Sequence, residues 1–233
     1  MRIYFQTTMK RPRVTVRGII LVAVCKTAAA QNGPGLLNEE NIVPSGETVS
    51  VQRLNHKTPA KAVSFFQRGV KFAEASDARR AAVEFQSAVA VDPEFAEAYG
   101  NLGVEYTSLG ELEQAFGAFE RAIQLDPPTG RYHENLAYTL YLLNRLGEAE
   151  SEAQKAVALD RADPAARYML GFLIAAHPER REEAFAHLLY AARQIREARL
   201  VLAILYHLSG ADERAGAEMR LYREGAPPIN PTR

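Results

Sequence analysis

Residues 96–129 read AEAYGNLGVEYTSLGELEQAFGAFERAIQLDPPT, and this stretch decides the fold. Tyr99, Leu102, Gly103 and Tyr106 recur at steps of three and four, the spacing of one helical face. Ala115, Phe119 and Ala122 repeat that spacing further on. Between the two runs stands Gly110, the residue type that most readily ends a helix in the left-handed conformation. The stretch therefore reads as two helices joined by a tight turn and closed by Asp126-Pro127. Small residues at Gly103 and Ala115 are expected to let the two helices approach closely, with Tyr99, Leu102, Tyr106 and Phe119 filling the space beside them.

The pattern recurs along the chain. Asp92-Pro93 precedes Asp126-Pro127 by 34 residues, and Pro227 ends the last unit in the same way. This register gives five units near residues 62–95, 96–129, 130–163, 164–195 and 196–229. Unit one carries Phe65, Gly69, Phe72, Ala81, Phe85, Ala88 and Pro93, with Arg68 where unit two has Leu102. Unit three keeps Leu136, Ala137, Leu140, Ala149 and Ala156 but has Ala153 for the aromatic and Arg161 for the proline. Unit four keeps Leu170, Gly171, Ile174, Ala184, Leu188 and Ala191 and needs one extra residue at His177-Pro178. Unit five keeps Leu202, Ala203, Tyr206, Ala215, Met219, Tyr222 and Pro227. One such hairpin cannot bury its apolar stripe alone, but a stack can. Asp-Pro pairs are expected to start hairpins with Asp as cap and Pro in the first turn, and Gly110, Asn144 and Gly210 to end first helices. The last helix, Asp212–Arg223, is expected to cap the stack with its polar side outward.

The chain has 233 residues, 47% hydrophobic and 24% charged, rich in alanine and without tryptophan, which favours helix over sheet. Formal net charge is zero, but residues 1–30 hold six basic residues and no acid. Removing those 6 from 28 basic residues leaves 22 against 28 acidic, about −6 for the rest, which disfavours binding to nucleic acid. The N-terminus runs from a basic stretch into Gly18–Cys25 (GIILVAVC) and then Ala28-Ala29-Ala30. That order is expected of a signal peptide over residues 1–30, or of a retained N-terminal apolar anchor, and places the protein in the periplasm or outside the cell. Residues 31–61, rich in Gly, Pro, Asn and Ser, read as a linker ending in a Thr58-Pro59 helix start. Val49, Val51 and Leu54 could form a short extended segment resting on the helices. The single cysteine, Cys25, offers no disulfide and no zinc site.

Over residues 62–229 the five-unit pattern resembles the tetratricopeptide repeat family, in its exported bacterial form. The resemblance implies an all-α fold, a right-handed superhelical solenoid of about five helix-turn-helix repeats. It also implies a concave groove lined by the first helix of each unit and filled by a protein or peptide partner. The groove positions are Phe66 and Val70 in unit one, Asn101, Val104 and Thr107 in unit two, and Arg131, Glu134, Asn135, Tyr138 and Tyr141 in unit three. They continue with Tyr168 and Phe172 in unit four, and Leu200, Ile204 and His207 in unit five. Asn101 and Asn135 hold the same place in successive units, where some family members bond the backbone of an extended peptide. The alternative is that these amides are simply solvated. Tyr138, Tyr141, Tyr168 and Phe172 form either an exposed apolar patch or packing between neighbouring helices. The Lys and Asn with which some members grip a C-terminal carboxylate are replaced here by Phe66 and Val70.

No catalytic or metal-binding pattern accompanies the repeats. His56, His133, His177, His187 and His207 have no His or Cys at ligand spacing, and neither a nucleophile elbow nor a phosphate-binding glycine loop is present. Gly100 and Gly103 read as packing glycines. No cofactor, metal or small-molecule substrate is expected. The expected function is an exported interaction scaffold or adaptor, not an enzyme. The alternative is an accessory subunit that presents substrate to a separate envelope enzyme.

Overall fold

The computed structural model describes residues 56–224, and every regular element in that span is helical. The signal segment with Cys25, the pattern at Val49, Val51 and Leu54, and Pro227 lie outside the described residues. Ten α-helices follow in order. They are α1 (Ala60–Glu74), α2 (Ala78–Val91), α3 (Ala96–Ser108), α4 (Leu112–Leu125), α5 (Gly130–Leu142), α6 (Leu146–Leu159), α7 (Pro164–Ile174), α8 (Arg181–Ala191), α9 (Arg196–Leu208) and α10 (Asp212–Glu224). A 3₁₀ turn, Pro178–Arg180, precedes α8. Consecutive helices pair as five antiparallel hairpins, and each hairpin stacks on the next.

The turn inside each hairpin has a backbone cause. Gly110 and Gly210 sit at φ +75 and +76, and Asn144 and Ser76 reach the same left-handed region at φ 59 and 57. In all four the chain closes a paired cap. Glu111 donates to the Tyr106 carbonyl at 2.8 Å while Gly110 donates to Thr107 at 3.1 Å, and Arg145 and Asn144 do the same to Leu140 and Tyr141. Unit four has no left-handed residue, and its extra residue is absorbed by the 3₁₀ turn.

The turns between hairpins correct one expectation. Asp92 and Asp126 do not cap the following helix; they end the preceding one. The Asp92 carbonyl accepts from Phe95 at 3.2 Å and its carboxylate from Glu94 at 3.1 Å, so Pro93 sits in a turn ahead of α3. Asp160 makes the same turn, with its carboxylate accepting from Ala162 at 2.8 Å, so Arg161 can stand where proline was expected. Only Asp163-Pro164 starts a helix as foreseen, the Asp163 carboxylate accepting from Ala165 at 2.8 Å and Ala166 at 3.4 Å. At the first helix Pro59 itself is the N-cap, and Thr58 supplies no capping bond.

Within a hairpin the small residue of the first helix receives the large residue of the second. A Cβ on Gly103 would lie 2.7 Å from the Phe119 ring, one on Gly69 2.6 Å from Phe85, and one on Gly171 2.9 Å from Leu188. The partner that needs Gly103 is thus the Phe119 ring rather than Ala115. Unit three has Ala153 at the ring position and Ala137 at the glycine position, both fully buried, so its missing aromatic leaves a smaller hole already filled. Gly100 serves the next hairpin instead, lying against the Tyr132 ring. Leu102, Leu136, Leu170 and Leu202 are all buried, whereas Arg68, in the first described hairpin, is exposed and pairs with Glu84 at 2.8 Å. The last helix, α10, buries no residue completely and has Ala215, Met219 and Tyr222 half-covered, as a capping helix should.

Candidate functional site

The stack curves because first helices approach one another and second helices do not. α3 touches α5, α5 touches α7 and α7 touches α9, while no such run links α2, α4, α6 and α8. The first helices therefore lie on the inside of the curve, and their inward residues form one concave row. A hydroxyl pair fastens two of them: Thr107 and Thr139 stand 3.2 Å apart, one donating to the other, which is left free to donate to the carbonyl one turn back in its own helix, Gly103 for Thr107 or Asn135 for Thr139.

The expected groove residues separate into open and filled sets. Val70, Asn101, Val104, Glu134, Asn135, Tyr138, Tyr141 and Ile204 are half-buried, and Arg131 is exposed. Phe66 is half-buried and packs its ring 4.9 Å from Phe95 and 5.5 Å from Phe85, so it seals the junction of units one and two. Tyr168 and Phe172 are only 9% and 6% exposed, so of the two alternatives for the four rings these two follow packing between neighbouring helices. They stack on each other at 6.2 Å, and Tyr141 meets Phe172 edge-on at 5.1 Å, so these rings join α5 to α7. Leu200 is likewise buried. His207 is exposed but bonds Asp212 at 2.7 Å across the turn of its own hairpin, which makes it a turn residue.

The two asparagines are not equivalent. The Asn101 amide donates to the Glu97 carbonyl of its own helix at 2.8 Å. Asn135, in contrast, makes no side-chain hydrogen bond among the described residues. Beside it, burial pushes the Glu134 carboxyl up to about 8, with the negative charge of Asp163 adding to the rise and Arg131 opposing it. Burial also raises Glu105, on α3, to about 7.

Two side-chain contacts inside hairpins were not legible in the sequence. His133 Nδ1 lies 2.7 Å from Glu152, not paired with its neighbour Glu134, and Arg199 Nη1 lies 3.2 Å from Glu218. Both pairs are 19 residues apart, and Tyr99 and Ala118 hold the equivalent positions in unit two. Comparing that offset across units was the signal that would have found them. His56 was missed too: its Nε2 lies 2.8 Å from Asp92 and its Nδ1 3.1 Å from Glu94. Among the described residues no three His, Cys, Asp or Glu side chains converge as metal ligands, and no helix is long and apolar enough to cross a membrane.

Residues 96–127 and 130–163 each match a family model described as tetratricopeptide repeat. No curated protein matches the sequence. Among solved structures, the chain is similar to YrrB, described as a TPR protein with an unusual peptide-binding site, at 21% identity and TM-score 0.55, covering 70% of this chain and 85% of that one. It is similar to pilF of Pseudomonas aeruginosa at 22% identity and TM-score 0.63, covering 71% and 77%. MamA from Desulfovibrio magneticus RS-1 aligns at 15% identity and TM-score 0.62, covering 72% and 96%. At these identities the likeness is one of fold. With two units recognised by sequence and five stacked hairpins in the structure, the chain is a tetratricopeptide repeat protein.

Proposed function

We propose that this protein is a scaffold or adaptor that holds an extended, partly apolar segment of a protein partner on its concave face, chiefly over α3 and α5. The observation that carries this reading is the composition of that stretch. Asn135 offers an amide for a peptide backbone, with Val104 and Tyr138 half-buried beside it and Arg131 exposed at its edge. An extended peptide needs both apolar contact and backbone hydrogen bonds, and this surface supplies both. A solved structure of similar fold is described as having a peptide-binding site, which agrees with that use.

The order of residues 1–30 supports export to the periplasm or beyond. In that compartment the scaffold would serve envelope or secretion machinery. The reading of an accessory to an envelope enzyme differs only in the partner's chemistry. The test is affinity purification of the C-terminally tagged full chain from its native host, beside an Asn135→Ala/Tyr138→Ala variant. A partner recovered stoichiometrically with the parent and lost with the variant supports groove binding, and its identity separates scaffold from enzyme accessory. Equal recovery by both proteins overturns the concave-face reading. Export is tested by fusing residues 1–40 to a reporter active only outside the cytoplasm; a silent fusion refutes it.

A further inference from the structure

We propose that a row of arginines along one edge of units four and five docks an acidic segment of a protein partner, with Arg167 and Arg196 as its two grips. Both side chains are fixed in the same way. Arg167 donates from Nε to the Arg161 carbonyl at 2.6 Å, and its guanidinium carbon lies 4.3 Å from the centre of the Tyr190 ring. Arg196 donates from Nε to the Tyr222 carbonyl at 2.7 Å, and its guanidinium carbon lies 4.6 Å from the centre of the Tyr222 ring. Tyr190 is held in turn by its hydroxyl, which donates to the Ala162 carbonyl at 3.1 Å. Each guanidinium is therefore oriented by one backbone bond and one ring before any ligand arrives. The Nη1 and Nη2 groups of both have no hydrogen-bond or ion-pair partner among the described residues. Each arginine thus keeps a pair of donors of the shape that takes both oxygens of a carboxylate.

The surroundings add positive charge and leave it uncancelled. Exposed Arg161 stands in the turn ahead of α7, and exposed Arg193 follows α8 with its guanidinium carbon 5.5 Å from the centre of the same Tyr190 ring. Neither side chain has an ion-pair partner among the described residues. The acids of this edge are engaged elsewhere. Asp160 accepts from the backbone of Ala162, Asp163 accepts from Ala165 and Ala166, and Glu183 takes both Nε and Nη2 of Arg180. Residues 192–195, between the two grips in sequence, contain no acid. Burial and the nearby Arg167 charge hold the His187 imidazole below its ordinary pKa, as an uncancelled cation should.

The shape of the surface selects its ligand. The patch is bounded by Asp160, Asp163 and Glu183, and the chain beyond residue 30 is net acidic, so a long polyanion such as nucleic acid is repelled outside it. Arg167 and Arg196 lie in the first turns of α7 and α9, successive first helices spaced by about 10 Å. Roughly three residues of extended chain cover that distance, so one segment with two acids can engage both grips. The site goes beyond the concave groove, because Tyr190 is on a second helix and Arg161 and Arg193 lie in turns.

The test titrates the full-length protein into a fluorescein-labelled aspartate-rich peptide, with an asparagine-rich peptide as control, and follows fluorescence anisotropy. The expected result is binding of the acidic peptide alone, weakening as salt rises. Arg167→Gln/Arg196→Gln should weaken it by about ten-fold. Arg167→Lys/Arg196→Lys, which keeps the charge but not the fork, should lose most of the same affinity. Exposed Arg193→Gln should weaken binding several-fold and keeps the test valid if the paired variants unfold. Lys71→Gln/Arg79→Gln, which removes two exposed cations of unit one, and Asn135→Ala/Tyr138→Ala, on the concave face, should both bind as the parent does. No binding by the parent, an equal loss in either of those controls, or full binding by the lysine variant overturns the proposal. Tighter binding of inorganic phosphate or of phosphatidylglycerol vesicles overturns the assignment to a protein segment.

Discussion

Replacing Gly103 with alanine should change sign with the residue opposite it. In the parent protein the new Cβ would lie 2.7 Å from two atoms of the Phe119 ring and 2.8 Å from a third. Comfortable carbon contacts lie at about 3.5–4.0 Å, so the ring must retreat by roughly 1 Å. Phe119 is 1% exposed and has no free space to enter. Overpacking of this kind costs about 1–3 kcal/mol, against about 1 kcal/mol gained by removing a glycine from a helix interior. Gly103→Ala should therefore destabilise by up to about 2 kcal/mol. In a Phe119→Ala background, itself about 3–5 kcal/mol less stable, the obstacle is gone and the same substitution should stabilise by roughly 0.5–1 kcal/mol. That double variant reproduces the native pairing of Ala137 with Ala153. Gly117→Ala is the control, since nothing lies within 4 Å of a Cβ there and only the helix-propensity gain of about 0.4–1 kcal/mol remains. Urea denaturation followed by far-ultraviolet circular dichroism measures the parent and all four variants. Equal effects of Gly103→Ala in both backgrounds would refute the claim that ring and glycine are one fitted pair.

Glu105 is buried and its carboxyl is raised from 4.5 to about 7, so the folded protein binds a proton there that the unfolded chain has released. Its stabilising effect is complete below pH about 4.5 and is lost as pH rises through about 7; Glu105→Gln should flatten this part of the stability profile by on the order of 1–3 kcal/mol, and parallel profiles would contradict it. Asn144, at φ 59, should tolerate glycine with a gain of a few tenths of a kcal/mol but lose about 1–2 kcal/mol on change to valine, by the same denaturation assay. Arg68→Leu should alter stability by less than about 0.5 kcal/mol, because that position is exposed, whereas Leu136→Arg at a buried one should cost more than about 3 kcal/mol; similar losses at the two sites would contradict this difference in packing.

The fold was legible because its rules are local and repeated. Steps of three and four, Gly110, Asn144 and Gly210 after first helices, and a small residue facing a large one need only the chain's own periodicity. The apparent defects of the repeat were also readable once the pairing partner was known. Arg68 stands exposed where later units bury a leucine, Ala153 comes with Ala137, and Arg161 is harmless because Asp160 makes the turn. What could not be read was contact at offsets foreign to the repeat. Thr107 meets Thr139 at 32 residues and His56 meets Asp92 at 36, neither of which equals the 34-residue period. Such contacts depend on how much each hairpin rotates against the next, and no single unit encodes that rotation.

The concave site shows the same limit more sharply. Register fixes the direction in which a first-helix side chain points, and here it placed the groove residues on one row. It does not fix exposure, because exposure depends on the size of the neighbours across the curve. In unit two the inward positions hold Asn101, Val104 and Thr107, which leave room and stay half-buried. In unit four the equivalent positions hold Met169, Phe172 and Ala175, and with Tyr168 beside them their bulk closes the space toward α5 and α9 and buries them. One row is therefore surface over α3 and α5 and core around α7. An extended segment can gain apolar contact only where the row has not already satisfied itself, and this confines the candidate site to Asn101, Val104, Arg131, Asn135 and Tyr138.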